Sequence, residues 1–191
     1  MPNHETNHVC VIARRPDVVR FLKDACEIDV DTGVVVPDFD RLVPQPQHVK
    51  QSLGVPGPAP AWYDWRNQHW GTKWEAYAPT KCEVNPYLVD WRDYPKGTPR
   101  QDRVPIQMVS MVFQTAWTQP TPILKAIADQ FDAYVECLTF DEGGFEPVHF
   151  QSEERERVIC KQVTADDYAA WNAAYLAKDR YLPKGEGNTD G

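Results

Sequence analysis

The sequence predicts an α+β fold in which helices cover an antiparallel sheet, and three observations support this prediction. Short apolar runs typical of strands alternate with segments whose apolar residues recur at helical spacing. The 191 residues are enough for one domain with an elaboration. Hydrophobic residues make up 42% of the chain and aromatic residues 12%, which is sufficient for a hydrophobic core.

The first part of the chain contains one strand, one helix and a long proline-rich stretch. Residues 8–14, HVCVIAR, are an apolar run typical of a central strand. Pro16 then begins a helix at its favoured first position, and an apolar stripe follows at helical spacing. Residues 34–36 predict a short strand. Residues 37–60 contain many prolines, so we expect an extended loop there.

A tryptophan-rich segment follows, with the sequence WYDWRNQHWGTKWEAY from Trp62 to Tyr77. It holds four of the seven tryptophans in the chain. Pro60 predicts the beginning of a short helix over the first three of them, and Gly71 predicts its end. Residues 73–84 indicate a strand that is interrupted near Pro79.

The second half of the chain supplies the remaining strands and another helix. Residues 85–103 form a polar loop, and residues 105–116 are the clearest strand. Apolar residues on both faces of that strand indicate an interior position in the sheet. Thr121 is predicted to be the N-cap of a helix with an apolar face. The next strand is predicted at residues 133–140.

The C-terminal part is predicted to extend the sheet. Residues 145–151 and 155–163 form a hairpin, residues 164–182 form a last helix, and residues 183–191 form a disordered tail.

The predicted order of elements is strand, helix, insertion, strand, strand, helix, strand. This is the βαββαβ pattern of a ferredoxin-like sandwich, an antiparallel sheet with two helices on one face. The predicted domain spans residues 1–163. Its proline- and tryptophan-rich insertion lies after the first helix, at about residues 37–72.

Composition excludes several classes of protein. The net charge of −8 argues against general affinity for the nucleic-acid backbone, which needs clustered Lys and Arg. No apolar run approaches the ~20 residues of a transmembrane helix. The N-terminus lacks the features of a signal peptide, so we expect a cytosolic protein. The five cysteines are widely spaced and include no CxxC pair, so we expect reduced thiols.

No motif predicts catalysis. The chain lacks a phosphate-binding loop, a GxSxG elbow and an HExxH helix. His4, His8, His69 and His149 are interpreted as structural or solvated rather than as metal ligands. Cysteines within predicted strands are expected to be buried and unreactive. We therefore expect no enzymatic activity, no cofactor and no metal.

The charge distribution predicts an acidic edge. Residues 126–152 contain no Lys or Arg and six acids. Such an edge could bind an Arg/Lys-rich partner by mimicking nucleic-acid phosphates. The alternative is a solvated acidic face. The six acids are Asp129, Asp132, Glu136, Asp141, Glu142 and Glu146.

The tryptophans have three interpretations. Trp62 and Trp65 could anchor a protein interface or stack on nucleobases, and otherwise they belong to the core. Lys73 is expected to lie over aromatic faces rather than to bind phosphate. The residues assigned to a structural motif are Trp70, Gly71, Lys73, Trp74 and Trp117.

Four blocks carry a resemblance to a family: PNHETNHVCV at 2–11, FDRLVPQP at 39–46, WGTKW at 70–74 and FQTAWTQPTP at 113–122. Together they resemble the YubB-like proteins, a ferredoxin-like family encoded by phages, prophages and conjugative plasmids. The resemblance covers roughly residues 1–150. It implies a ferredoxin-like part without an iron–sulfur cluster and a mobile-element origin. It brings no catalytic residues.

The functional hypothesis combines these points. We expect a non-enzymatic, cytosolic accessory protein of a mobile element that binds a host protein with a basic surface. Its expected role is to counter a bacterial defence system such as CRISPR–Cas or restriction. The alternative is a nucleic-acid or nucleotide binding module that uses the tryptophan-rich insertion. Oligomeric state is left open.

Overall fold

The computed structural model describes residues 3–53, 61–89, 105–143 and 147–152. All of them lie within the first of the two units of the chain, Met1–Arg155. In chain order the elements are β1 (His4–Arg14), α1 (Arg15–Asp24), β2 (Cys26–Ile28), β3 (Val35–Pro37), α2 (Phe39–Leu42), α3 (Gln47–Lys50), α4 (Ala61–His69), β4 (Tyr77–Val89), β5 (Ile106–Ala116), α5 (Thr121–Gln130), β6 (Tyr134–Asp141) and β7 (Val148–Gln151).

Five strands form the main sheet, in the order β4-β5-β1-β6-β7. Every neighbouring pair is antiparallel. Strands β2 and β3 form a separate two-stranded sheet. The predicted α+β class is therefore confirmed.

One face of the main sheet carries the hydrophobic core. Successive strand residues point to opposite faces, and those on the helix side of β1, β5 and β6 join one buried cluster with α1 and α5. The apolar face predicted for the helix that begins at Thr121, which is α5, lies in this cluster. Phe39 and Leu42 of α2 and Trp70 also belong to this cluster. Its members include Val9, Val11, Phe21, Phe39, Val109, Met111, Phe113, Ile123, Leu124, Ile127, Phe131 and Val135.

Several predicted elements are confirmed. Helix α1 has Pro16 in its first turn, and β5 lies between β4 and β1. The predicted interruption near Pro79 appears as a shift in the β4–β5 register between Tyr77 and Lys81. Strand β1 is longer than predicted because it begins at His4, which pairs with Ala116 at the end of β5.

Other predictions need correction. The stretch 37–60 is not wholly extended, because α2 and α3 lie within it. Asp38 begins α2 by accepting a hydrogen bond from the Arg41 N–H at 2.9 Å, and Phe39 is buried in the core. Thr121 is the first residue of α5, not its N-cap, and Pro120 occupies the cap position.

Strand and loop boundaries also differ from the predictions. Strand β4 begins at Tyr77 and not at Lys73, and it continues through Val89 into the predicted loop. Of the predicted C-terminal hairpin, β7 pairs with β6. The predicted strand at 155–163, helix at 164–182 and tail at 183–191 lie outside the described residues.

Trp70 attaches the insertion to the sheet. Its side chain is fully buried, and its indole N–H donates to the Val43 carbonyl at 2.9 Å. Helix α4 ends at His69, and Gly71, which was predicted to end it, follows two residues later with a φ of +78°. The next residue, Thr72, bonds through its hydroxyl to both the Ala116 carbonyl and the Ala116 N–H, at 2.8 and 3.2 Å. The insertion is thereby fixed to the end of β5.

Among the described residues, no helix has the length and apolar character that a membrane span requires.

Candidate functional site

Six side chains from three parts of the chain form a continuous aromatic surface. We define the aromatic surface as Trp62, Tyr63, Lys73, Trp74, Tyr77 and Trp117. Edge-to-face ring contacts hold together each of its two halves, which are Trp62, Tyr63 and Trp117 in one and Trp74 and Tyr77 in the other. Centroids are 5.9 Å apart for Trp62–Tyr63, 6.2 Å for Tyr63–Trp117 and 5.9 Å for Trp74–Tyr77.

Lys73 bridges the two halves of the aromatic surface. Its Nζ lies 5.0 Å from the centroid of the Trp74 ring and 4.9 Å from that of Trp117. Both distances fall within the range of a cation–π contact, about 6 Å. Among the described residues no carboxylate forms an ion pair with this ammonium.

Trp117 is the most exposed member of the surface. Its side chain is 42% exposed. Its backbone has a φ of +73°, a left-handed conformation that is uncommon for a bulky residue and costs about 1–2 kcal/mol. The Trp117 N–H donates to the Asn3 carbonyl at 3.0 Å, and Thr118 bonds to the Gly71 carbonyl. These contacts hold the indole outward against the conformational cost.

An acidic group adjoins the Tyr77 end of the surface. The Tyr77 hydroxyl lies 2.6 Å from His4 Nδ1, and the His4 carbonyl accepts from the Glu142 N–H at 3.2 Å. Burial raises the pKa of Tyr77, and the negative charges of Glu142 and Glu5 raise it further. Asp141 lies opposite Glu5 across the β1–β6 pair. We call Glu5, Asp141 and Glu142 the acidic group.

Glu5, one member of the acidic group, has a raised pKa. Burial, followed by a hydrogen bond with Asp141, raises the pKa of Glu5 to about 7. Asp141 also accepts hydrogen bonds from Asn3 Nδ2 at 3.0 Å and from the Gly143 N–H at 2.6 Å. The same Asn3 that holds Trp117 therefore holds Asp141, so the acidic group and the aromatic surface share one support.

The six predicted acids do not form one edge. Asp129 lies in the last turn of α5 and Asp132 in the connection between α5 and β6. Asp141 and Glu142 lie at the far end of β6, about 23 Å from its beginning for a strand of this length. Glu136 lies on the sheet face opposite the helices, within 2.9 Å of His149. Strand β6 is not an edge strand either, because β7 flanks it.

The single acidic edge predicted from the sequence is thus corrected. An extended strand separates acids that are close in sequence, and the alternation of side chains places one of them on the other face. Glu146 lies outside the described residues.

The tryptophans divide differently from the prediction as well. Trp62 belongs to the aromatic surface, whereas Trp65 stacks on His69 at 4.5 Å and packs against Trp70 and the core. Trp74 and Trp117, which the sequence assigned to a structural motif, form the centre of the surface. Trp117 directly follows the last residue of the buried strand β5, and this position in the sequence could have predicted its exposure.

A polar cluster beneath the surface supports it from within the insertion. The Arg66 guanidinium lies 4.5 Å from the Trp70 ring centroid and 5.6 Å from that of Trp62. It donates to Gln45 Oε1 at 3.3 Å. Glu75 accepts from the Phe39 N–H at 3.1 Å. Burial raises the pKa of Glu75 to about 7, although the positive charge of Arg66 opposes the shift.

Glu75→Gln is expected to remove part of the pH dependence of stability. Between pH 4.5, where the unfolded carboxyl titrates, and about pH 7, folded Glu75 keeps a proton that the unfolded chain releases. The unfolding free energy therefore falls as pH rises through this window, by on the order of 3 kcal/mol at most. Denaturant titrations across the window would measure the difference between wild type and variant.

Glu5 titrates in the same window and supplies a matched comparison. The Glu75→Gln variant should retain the decline due to Glu5 and lose only the part due to Glu75. Parallel stability curves for wild type and Glu75→Gln would contradict the assignment.

The described cysteines and histidines form no reactive or metal-binding group. Burial raises the pKa of the Cys10, Cys26 and Cys137 thiols, which keeps them protonated. In the part of the chain that the structure describes, no three His, Cys, Asp or Glu side chains are close enough to hold a metal ion.

No protein-family model, curated protein or solved structure matches this chain. The capability of the site therefore follows from its own chemistry. Trp117 exposes an indole at the centre of the surface, and tryptophan is among the side chains that most often anchor a protein interface. They also stack on nucleobases where cationic residues surround them.

Proposed function

We propose that this chain is a non-enzymatic module that binds a basic segment of a host protein through the aromatic surface and the adjoining acidic group. One observation carries the proposal: Trp117 exposes a large indole while its backbone is held in a costly left-handed conformation. Core packing does not account for an outward indole. A strained conformation that the surroundings enforce is characteristic of functional positions.

The charges beside the surface favour a basic protein over a nucleic acid. Glu142 acts on Tyr77 at one end of the surface, and Asp141 is bonded to Asn3, the residue that also holds Trp117. Phosphates would be repelled there, whereas arginine and lysine side chains would be attracted. The net charge of −8 acts in the same direction at longer range.

The proposal extends to the origin of the chain. The order of elements β1, α1, β4, β5, α5 and β6 and the sheet order β4-β5-β1-β6 support a ferredoxin-like topology. The four sequence blocks support membership of the YubB-like family and a mobile-element origin. The partner would then be a component of a bacterial defence system, such as CRISPR–Cas or restriction, in the host cytoplasm.

Trp117→Ala is expected to abolish capture of the host partner. Affinity should fall by tenfold or more, because an interface tryptophan contributes about 2 kcal/mol or more when truncated. The measurement is retention of a specific host protein from bacterial lysate by tagged wild type and variant. Phe140→Ala is the matched control, since Phe140 is comparably exposed, at 38%, and its described ring contact is with His8 rather than with the aromatic surface.

Two results would contradict the proposal. One is that wild type retains no specific protein. The other is that Trp117→Ala and Phe140→Ala retain it equally well. Glu142→Lys should weaken capture as well, because the charge beside Tyr77 is reversed.

A nucleotide or single-stranded nucleic acid is the second candidate, favoured by the exposed Trp117 ring beside the half-buried Trp74 ring. Base stacking quenches indole fluorescence and contributes about 1–3 kcal/mol per base. Titrations with mononucleotides and oligonucleotides that leave the fluorescence unchanged would dispose of this candidate.

A further inference from the structure

We infer that the space between the Trp74 and Trp117 indoles is a binding site for a cationic side chain of the partner, preferentially an arginine, and that Lys73 is an internal occupant which this cation displaces. The inference rests on the proposed function and specifies the chemistry of its central contact. It assigns Lys73 an inhibitory rather than a binding role.

The geometry is that of a two-ring cation site. The Lys73 ammonium lies almost equally far from both ring centroids, at 5.0 and 4.9 Å. The electron-rich faces of the two indoles attract a cation electrostatically. The site therefore binds a positive charge already, and the charge it binds belongs to the chain itself.

Both rings are held independently of Lys73. The Trp74 ring packs edge-to-face on Tyr77, and the Trp117 ring packs edge-to-face on Tyr63. The Trp117 backbone is bonded to Asn3, and Thr72 bonds the preceding residue of β5. A site that is preorganised in this way keeps its shape when the occupant leaves, which reduces the ordering cost of binding.

Lys73 can leave at low cost. Its ammonium forms no ion pair with a carboxylate in the described part of the chain, and it contacts the Trp74 and Trp117 rings there. Its four-carbon stem is flexible and regains rotamer entropy when the ammonium leaves the rings. An incoming cation re-forms the ring contacts and is also attracted by the acidic group.

The chemistry of the guanidinium group and the packing of Arg66 in this chain both favour arginine as the partner's cation. A guanidinium is planar, stacks on aromatic faces and is less strongly hydrated than an ammonium. This chain already packs one between two indoles, because Arg66 lies over Trp70 and Trp62 in the insertion. A partner arginine between Trp74 and Trp117 would repeat that arrangement at the surface.

Lys73→Met tests the inference directly. The variant keeps the length of the side chain and removes its charge, so a blocked tri-arginine peptide should bind about tenfold more tightly than to wild type, equivalent to about 1.4 kcal/mol. Calorimetric titration and indole fluorescence would measure the affinity. Trp117→Ala and Trp74→Ala should each lower it.

Lys125→Met is the matched control, because it removes one charge from an exposed lysine on α5 and changes the net charge equally. Its affinity for tri-arginine should stay close to that of wild type. Equal affinities for the two methionine variants would overturn the inference. So would binding of tri-glutamate by wild type that is lost in Lys73→Met, since Lys73 would then be an anchor for an anion.

The peptide experiment tests the cation site, and the lysate experiment tests the proposed function, so either can fail without the other. If Lys73→Met tightens tri-arginine binding but no host protein is captured, the cation site stands and the proposed function falls. If host capture depends on Trp117 while Lys73→Met and Lys125→Met bind tri-arginine equally, the proposed function stands and the cation site falls.

Discussion

Trp70→Ala is expected to lower the unfolding free energy by about 3–5 kcal/mol, the usual range for truncation of a fully buried tryptophan. The ring is 0% exposed and packs edge-on against Phe39 at 5.9 Å. Its loss also removes the hydrogen bond to the Val43 carbonyl and the nearer of the two indoles that hold Arg66. A cavity and unpartnered buried polar groups would remain.

The magnitude matters because domains of this size are stable by only about 5–15 kcal/mol. Chemical denaturation followed by circular dichroism gives the midpoint and slope for wild type and variant. Trp62→Ala is the control within the same segment, since Trp62 is only partly buried. We expect it to cost less than half as much. Equal losses for the two variants would contradict the role of Trp70 as the attachment of the insertion.

Gly71→Ala is expected to destabilise the protein by about 3 kcal/mol, through two separate effects. A Cβ at a φ of +78° is strained by about 1–2 kcal/mol. It would also lie 2.7 Å from Pro122 Cδ and 3.2 Å from the Gln119 carbonyl. Such overpacking typically costs a further ~1–3 kcal/mol.

Gly33→Ala separates the two effects. Gly33 has a similar φ of +70°, but no atom lies within 4 Å of the position that its Cβ would occupy. It should therefore show the backbone strain alone, about 1–2 kcal/mol. Denaturation midpoints of both variants give the difference, which is the contribution of close packing between the insertion and the start of α5. Identical losses would show that this packing is loose.

Gly71→Ala should also weaken tri-arginine binding, whereas Gly33→Ala should not. Gly71 lies two residues before Lys73, and its carbonyl is bonded to Thr118 beside Trp117. A shift of the insertion away from Pro122 would separate the two rings of the site. Measured affinities that are equal for the two glycine variants would argue that the rings are held by other contacts.

The elements that were predicted well have a pattern that depends on neighbours in sequence. The apolar face of α5 and the doubly apolar strand β5 follow from spacing alone, and both lie in the core as expected. Helix α4 ends two residues before Gly71, which has a left-handed φ. Helices α2 and α3 were missed because proline content suggested a loop. The cap at Asp38 and the burial of Phe39 outweighed that signal.

The candidate site was predicted only in part. Trp62, Asp141 and Glu142 were named as candidates from the sequence. Trp62 lies in the aromatic surface, and the two acids lie beside it. The other described acids lie in the last turn of α5, in the connection after it and within β6, and Trp65 packs against the core. The spacing of apolar residues predicts which residues share a helix or a strand. It does not identify which ends of separate elements meet.

Local sequence patterns were sufficient to predict β1, β5, β6, the two long helices and the end of α4 near Gly71, because apolar periodicity and backbone conformation are local properties. The approach of Lys73, Trp74 and Trp117 to one another could not be predicted in this way. Trp74 and Trp117 are 43 residues apart, and their approach depends on the Thr72–Ala116 hydrogen bonds and on the β4–β5 pairing. Long-range register is a collective result of packing, and no single segment encodes it.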